Sequence, residues 1–253
     1  GQGMGPLTDA DVLSRAKKVF PFVNLIALRG GRDGMALLES LGVDSSRVLT
    51  TGDEAIELAY EARPAELGQG LGINLRVATY SNVEPYMIER IKLILHEFAM
   101  FHSAPLVPVP IAFHPWANDH QIIRQLLEGF DDQSDGGLTL SSPLKVIQQV
   151  GRCRVVVTGA YHAAVFALAQ GVSVVGLANS PYYAAKFQGL EDQFGCGCET
   201  IFLHEPDFAG ELRAALERAW QSAELVRGSL QQAALHQIRL SQGAYERVVS
   251  LVG

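Results

Sequence analysis

A short segment that follows a valine-rich run carries the residues best suited to acid–base chemistry, Thr158-Gly159-Ala160-Tyr161-His162. The pattern predicts a buried strand that turns sharply at Gly159 into a helix beginning near His162. Free backbone N–H groups at such a helix start bind anions, and an imidazole can exchange a proton near neutral pH. We predict that His162 is catalytic and that Gly159 and Tyr161 contact substrate, with simple helix capping by His162 as the alternative.

Two further groups follow predicted strands. Arg76 ends the run 71–77, where its guanidinium could bind a carboxylate or phosphate or form a surface ion pair. The segment His114-Pro115-Trp116-Ala117-Asn118-Asp119 places an imidazole, an aromatic ring and a carboxylate in one loop, a mixture typical of sugar sites. We predict that Arg76, His114 and Asp119 bind substrate, although Asp119 could equally be the N-cap of the next helix.

The first third of the chain offers a second set of candidates. The glycine-rich start Gly1-Gln2-Gly3-Met4-Gly5 resembles a phosphate-binding loop, so we expect Gly3 and Gly5 to contact substrate together with Arg29. Asp53 is a candidate catalytic group, with a helix cap or a structural partner of Arg29 as alternatives. Because the chain starts within what looks like a post-strand loop, we also expect an N-terminal part of this domain to be missing.

The elements that must position these residues alternate between short apolar strands and helices, a pattern that predicts an α/β fold with parallel sheets. Helices are predicted at 9–20, 34–41, 84–102, 119–128, 143–150, 162–170 and 207–252, and strands at 24–28, 48–50, 71–77, 106–113, 155–158 and 172–177, with a short extended stretch at 138–140. The Pro- and Gly-containing segment 62–70 is the best linker. We therefore predict a first domain over 1–66, a second with the main ligand site over 67–205, and C-terminal helices over 206–253 that pack back on both.

The composition argues against several classes of protein. The 253 residues are 48% hydrophobic and 19% charged, which is enough apolar material for a sizeable core. A net charge of -7 gives no bulk attraction for a polyphosphate, so we expect no nucleic-acid partner. Three cysteines indicate reduced thiols in a cytoplasmic protein, and we predict neither a metal site nor a cofactor. No segment approaches the ~20 apolar residues of a membrane span.

Taken in order, these motifs resemble the polysaccharide pyruvyl transferase family. The matching segments are Gly1–Pro6, Leu28-Arg29 with Leu41-Gly42, Thr51–Ala55, Ile73–Arg76 and Val157–Ala164. The resemblance implies two Rossmann-like domains facing each other across a cleft, as in GT-B glycosyltransferases. It implies transfer of pyruvate from phosphoenolpyruvate to hydroxyls of a sugar, as in exopolysaccharide biosynthesis, with no required metal. By the same resemblance Arg76 would hold the donor's carboxylate or phosphate, and His162 would be the acid/base at the enol ether.

One position departs from the family pattern. Ala160 stands where the family has an arginine two residues before the histidine. Three outcomes stay open: Arg152, Arg154 or Lys186 replaces that charge; the protein is a GT-B glycosyltransferase that uses a nucleotide-sugar; or it is a non-catalytic relative that binds a glycan or nucleotide. The expected partners are phosphoenolpyruvate or a nucleotide-sugar and a glycan acceptor, and a lipid-linked acceptor would bring the protein to a membrane surface.

Overall fold

A computed structural model describes residues 1–4, 7–30, 32–76, 84–114 and 117–252 of the chain. Contacts between Cα atoms divide the chain into two compact units. Unit 1 comprises residues 1–57 and 235–253, and unit 2 comprises residues 58–234. The domain boundaries expected from the sequence, after residues 66 and 205, stay predictions. In the described ranges no helix has both the length and the apolar composition needed to cross a membrane.

Unit 1 contains a small parallel sheet. Strand β1 (Ile26–Leu28) pairs in parallel with β2 (Val48–Thr50), and Gln2 forms a parallel bridge to Leu28 on its other side. The helices of this unit are α1 (Ala10–Val19), α2 (Arg32–Ser40) and the start of α3 (Ala55–Glu61), with 3-10 turns at Phe20–Phe22 and Ser45–Arg47. Residues from 235 onward belong to the long helix α9 (Phe208–Val252).

Unit 2 is built on a five-stranded sheet in which every pairing is parallel, in the order β4-β3-β7-β8-β9. Its strands are β3 (Gly70–Asn74), β4 (Leu106–Pro108), β7 (Cys153–Thr158), β8 (Ser173–Ala178) and β9 (Cys198–Phe202), with a two-stranded antiparallel hairpin of β5 (Phe113–His114) and β6 (Ala117–Asn118). Its helices are α4 (Pro85–His102), α5 (Asp119–Leu127), α6 (Pro143–Val150), α7 (Tyr161–Gln170), α8 (Pro181–Phe194) and the first part of α9. The predicted α/β class with parallel sheets is confirmed.

The strand order predicts a ligand crevice between β3 and β7. The chain leaves β3 towards β4 on one side and then returns past β3 to add β7, β8 and β9 on the other. Ligands of such open sheets bind beyond the carboxyl ends of the strands, where the winding direction reverses. This reversal lies between β3 and β7, the two strands that carry Arg76 and His162 just past their ends.

The core explains why β3 and β7 are nearly continuous apolar runs. Alternate residues of both strands pack with helix α4 and the start of α9 in one buried cluster, whose members include Leu71, Ile73, Val155 and Val157. Helix α7 contacts β7, β8, α6 and α8. Strands covered by helices on both faces must be apolar throughout, which is the pattern that the sequence shows.

Local sequence signals account for several of the observed element ends. Asp9 accepts hydrogen bonds from the N–H groups of Asp11 and Val12 and so caps α1. Pro143 begins α6, and Gly171 ends α7 with a φ of 82°, a left-handed conformation that glycine adopts without a steric penalty.

Other expectations were wrong. The predicted strand 106–113 ends at Pro108, because Pro108 and Pro110 lack the N–H that continues a ladder. The stretch 138–140 is a turn with two left-handed glycines before it, Gly136 and Gly137, rather than an extended segment. Helices α3 and α8, strand β9 and the β5–β6 hairpin were not predicted.

Candidate functional site

Two buried polar side chains close the carboxyl ends of β3 and β7. Asn74 and Thr158 are paired across the ladder and are 1% and 0% exposed. The Thr158 hydroxyl lies 3.2 Å from Asn74 Oδ1 and accepts a hydrogen bond from the N–H of Ala160 at 2.9 Å. These hydrogen bonds hold the end of β7 and the turn after it together. Both side chains are buried, and the low dielectric of the protein interior strengthens their hydrogen bonds.

Asp119 is the centre of this network. Its Oδ2 accepts from Asn74 Nδ2 at 2.9 Å and from the backbone N–H groups of Ile111 and Ala112 at 2.8 and 2.9 Å. Its Oδ1 lies 3.1 Å from Arg76 Nη1, and the two side chains are 2% and 11% exposed. Asp119 is the first residue of α5. Its carboxylate nevertheless accepts hydrogen bonds from β3 and from the loop after β4. It therefore fixes the guanidinium of Arg76 at the end of β3.

His162 stands at the amino end of α7. Every residue of this helix is buried except His162, which is half-buried. Its ring lies 5.3 Å from the ring of Tyr161 in an edge-to-face arrangement and 6.3 Å from that of Phe166. An imidazole that is the one partly exposed group on an otherwise buried helix can meet a ligand at the helix start, where N–H groups and the helix dipole favour an anion.

Gly159 allows the two strand ends to approach each other. Its N–H donates to the carbonyl of Asn74 at 3.2 Å, and a Cβ at this position would lie 2.8 Å from the backbone N of Arg76. A side chain here would push the β7 turn away from the strand end that carries Arg76. The predicted substrate-binding glycine is thus explained by a close backbone approach, and a direct ligand contact stays a prediction.

Gly159→Ala is expected to destabilise unit 2 by about 1–3 kcal/mol, since the added methyl overpacks a rigid backbone contact. Gly189→Ala is the matched control, because nothing lies within 4 Å of a Cβ at Gly189 in helix α8. Alanine there should be neutral or stabilising by about 0.5–1 kcal/mol. Urea unfolding of both variants measures the difference, and equal midpoints would contradict the close approach.

The remaining predicted residue of this unit is His114. His114 is exposed and lies in the β5–β6 hairpin, which precedes α5. In this hairpin it is the antiparallel partner of Ala117. The structure does not bring it into the bonded network of Arg76 and Asp119. Pro115 and Trp116 of the same loop fall outside the described residues.

Unit 1 brings together a second set of predicted residues. Arg29 Nη1 donates to Asp53 Oδ2 at 3.1 Å, and Asp53 Oδ1 accepts from the N–H of Ala55 at the start of α3. A Cβ on Gly3 would lie 3.0 Å from Arg29 Nε, so Gly3 packs against the guanidinium. Asp53 is therefore both a helix cap and a partner of Arg29, two of the three roles considered for it. Its predicted catalytic role stays a prediction, and Gly5 lies outside the described residues.

The three possible substitutes for the missing arginine occupy different places. Arg152 and Arg154 lie at the amino end of β7, where they bond to Gln149 and to the carbonyl of Trp220. From Arg154 to Thr158 the strand advances about 13 Å, so neither arginine reaches the turn. Lys186 lies in α8, and its Nζ is 5.6 Å from the ring of Tyr161.

In the described ranges the side chains that could bind a metal do not cluster, and the thiol of Cys153 is fully buried. No group of three or more His, Cys, Asp or Glu side chains there is arranged to hold a metal ion. The three cysteines are free thiols. Burial raises the pKa of the Cys153 thiol to about 12, so it stays protonated and does not serve as a nucleophile.

Sequence reasoning missed Asn74 and Thr158 as parts of the site. The available signal was a polar residue towards the carboxyl end of each of two largely apolar strands. Because the carboxyl ends of neighbouring parallel strands meet at one edge, two such residues predict a polar pair next to the ligand crevice.

One comparison with known proteins agrees with the family resemblance. A family model described as polysaccharide pyruvyl transferase matches residues 1–181, a range that contains every motif on which the resemblance rested. No curated protein matches the sequence. Among solved structures, a crystal structure of the glycotransferase of kitacinnamycin is similar, with a TM-score of 0.49 and 11% identity over 94% of this chain. This chain spans 65% of the length of that one.

Proposed function

The chain belongs to the polysaccharide pyruvyl transferase family, and on that premise we propose that it transfers a pyruvyl group from phosphoenolpyruvate to a sugar of a polysaccharide or its precursor. The observation that carries the proposal is that Arg76 and His162 follow neighbouring strands at the point where the strand order of the sheet reverses. Arg76 is held there by the buried Asp119, and the half-buried His162 begins α7 on the neighbouring strand.

The proposed reaction is ketal formation. Two sugar hydroxyl oxygens form bonds to C2 of phosphoenolpyruvate, and the bond from C2 to the phosphate oxygen breaks. One hydroxyl proton ends on C3, which becomes a methyl group, and the other ends on the released phosphate. The reaction therefore needs a site for two anionic groups and a residue that moves protons, and it needs no oxidant or reductant.

The residues of unit 2 suit these needs. The N–H groups at the start of α7, together with Arg76, would bind the donor's phosphate and carboxylate. His162 would donate a proton to C3 and accept one from a sugar hydroxyl, with Tyr161 and Gly159 lining the site. We assign Asp119 the role of orienting Arg76, because its oxygens already accept from protein donors.

The other predicted residues keep their assignments within this proposal. Gly3, Gly5 and Arg29 would contact substrate and Asp53 would be a second acid–base group, while His114 would bind the sugar from its exposed loop. The acceptor is a glycan or its nucleotide- or lipid-linked precursor, of the kind used in exopolysaccharide biosynthesis. A cytoplasmic setting agrees with three cysteines that are all free thiols.

Incubation of the purified chain with phosphoenolpyruvate and a panel of acceptors tests the proposal. The panel comprises free oligosaccharides, nucleotide-linked sugars and lipid-linked sugars. We expect release of inorganic phosphate in step with the mass gain of one pyruvyl ketal on the acceptor. Glycosyl transfer from a nucleotide-sugar without any use of phosphoenolpyruvate would instead identify a glycosyltransferase. Binding of glycan or nucleotide with no turnover would identify a non-catalytic relative.

A further inference from the structure

The side chain of Lys186 is surrounded by tyrosine rings. Its Nζ lies 4.1 Å from the ring centroid of Tyr182, and 5.6 Å from each of the rings of Tyr161 and Tyr183. An ammonium group next to the faces of aromatic rings is attracted by their negative charge distribution. The rings therefore hold the cation in place while leaving its positive charge in full.

Several other cations of unit 2 are paired with carboxylates, unlike Lys186. Arg76 is paired with Asp119, Lys92 with Glu89 and Glu128, and Arg218 with Glu199. Within the described part of the chain, no carboxylate lies within ion-pair distance of Lys186. A half-buried lysine without a carboxylate is a ready site for an anion from outside the protein.

Lys186 and His162 lie in helices that follow neighbouring strands of the sheet. Helix α8 starts just past the carboxyl end of β8, the strand next to β7. The ring of Tyr161 connects the two groups, since it lies 5.3 Å from the His162 ring and 5.6 Å from Lys186 Nζ. The ammonium and the imidazole therefore flank one aromatic ring at the start of α7.

The net charge of the neighbouring side chains indicates a role for Lys186. The pair of Arg76 and Asp119 sums to zero, so it does not offset the charge of a ligand that carries both a phosphate and a carboxylate. Ala160, in the turn itself, contributes no side-chain charge. We propose that Lys186 binds the phosphate group of the anionic donor, with the tyrosine rings positioning its ammonium group. This inference rests on the proposed function, and it adds a residue beyond the range matched by the family model, which ends at residue 181.

Isothermal calorimetry on the purified full chain tests the inference without an acceptor. The titrants are phosphoenolpyruvate, inorganic phosphate and uridine diphosphate. Lys186→Met is expected to weaken the binding of phosphoenolpyruvate by about 10–100-fold, the loss expected for one charge-assisted bond. Lys186→Arg, which keeps the charge, should recover most of the affinity. Lys145→Met, at an exposed lysine of α6, is the matched control and should bind like the wild type.

Steady-state kinetics distinguish an effect on binding from an effect on catalysis. Melting temperatures verify that the variants are folded. With a working acceptor, Lys186→Met should raise KM for phosphoenolpyruvate far more than it lowers kcat. An unchanged affinity and KM in a folded Lys186→Met protein would overturn the role of Lys186 and leave the proposed function standing. Lysine-dependent binding of uridine diphosphate but not of phosphoenolpyruvate would keep the phosphate-binding role and overturn the donor. Binding of none of the three titrants by the wild type would overturn both.

Discussion

Replacement of Asp119 by alanine is expected to lower the free energy of unfolding of unit 2 by about 3–5 kcal/mol, the range for removing one partner of a buried ion pair. The carboxylate is 2% exposed, so its loss leaves the charge of Arg76 uncompensated in a site that is mostly dry. It also leaves the Asn74 amide and the N–H groups of Ile111 and Ala112 without their acceptor. Each orphaned buried donor carries its own desolvation cost.

Urea unfolding followed by tryptophan fluorescence measures the effect. Asp132→Ala is the matched control, because Asp132 is an exposed aspartate in the same unit whose carboxylate accepts from the N–H of Gly129. It should cost no more than about 1 kcal/mol. The double variant Asp119→Ala, Arg76→Ala should be less destabilised than the sum of its parts, since no unpaired charge is left behind. A loss below 1 kcal/mol in Asp119→Ala would refute the buried network.

His162→Ala is expected to reduce kcat for pyruvyl transfer by about 10²–10⁴-fold, the usual contribution of one general acid–base group. The side chain is the one partly exposed group of α7, so the fold should tolerate its removal. The affinity for phosphoenolpyruvate should change little, because the binding of its anionic groups is assigned to Arg76, Lys186 and backbone N–H groups. A large loss of rate with nearly unchanged binding is the pattern of a residue that moves protons.

Steady-state kinetics and calorimetry on the same preparations separate these effects. His162→Gln tests the acid–base role further, since glutamine can donate a hydrogen bond but cannot exchange a proton near neutral pH. It should be nearly as slow as the alanine variant. His236→Ala, at an exposed histidine of α9, serves as the control and should keep the wild-type rate. Full activity of His162→Gln would show that the imidazole only positions the substrate.

The sequence predicts those parts of the site that depend on interactions between residues close to each other in the chain. A sharp glycine turn between an apolar strand and an alanine-rich helix is visible in a dozen consecutive residues, and it placed His162 correctly at a helix start. The caps at Asp9 and Gly171 follow from side-chain and backbone geometry within a few positions. The order of short motifs of two to eight residues along the chain was enough to recognise the family.

The sequence does not predict what depends on distant residues. Asp119 looked like a helix cap or a sugar ligand, because nothing near it reveals that Asn74, 45 positions earlier, donates to its carboxylate. The surroundings of Lys186 combine rings from α7 and α8, and helix α8 itself was not predicted. Such contacts require the strand order, which fixes which helix starts lie side by side.

The division of the chain into units has a consequence for its synthesis. Unit 2 is one continuous segment, whereas unit 1 combines two separate segments, 1–57 and 235–253. Since a ribosome synthesises the chain from its amino end, residues 1–57 emerge before unit 2 but wait for residues 235–253 before their unit is complete. Unit 2 has its whole sheet once Phe202 has emerged, and it can fold during that interval. Residues 1–57 are therefore made before unit 2 but complete their unit after it, and their apolar residues are ones that a chaperone would meet on the nascent chain.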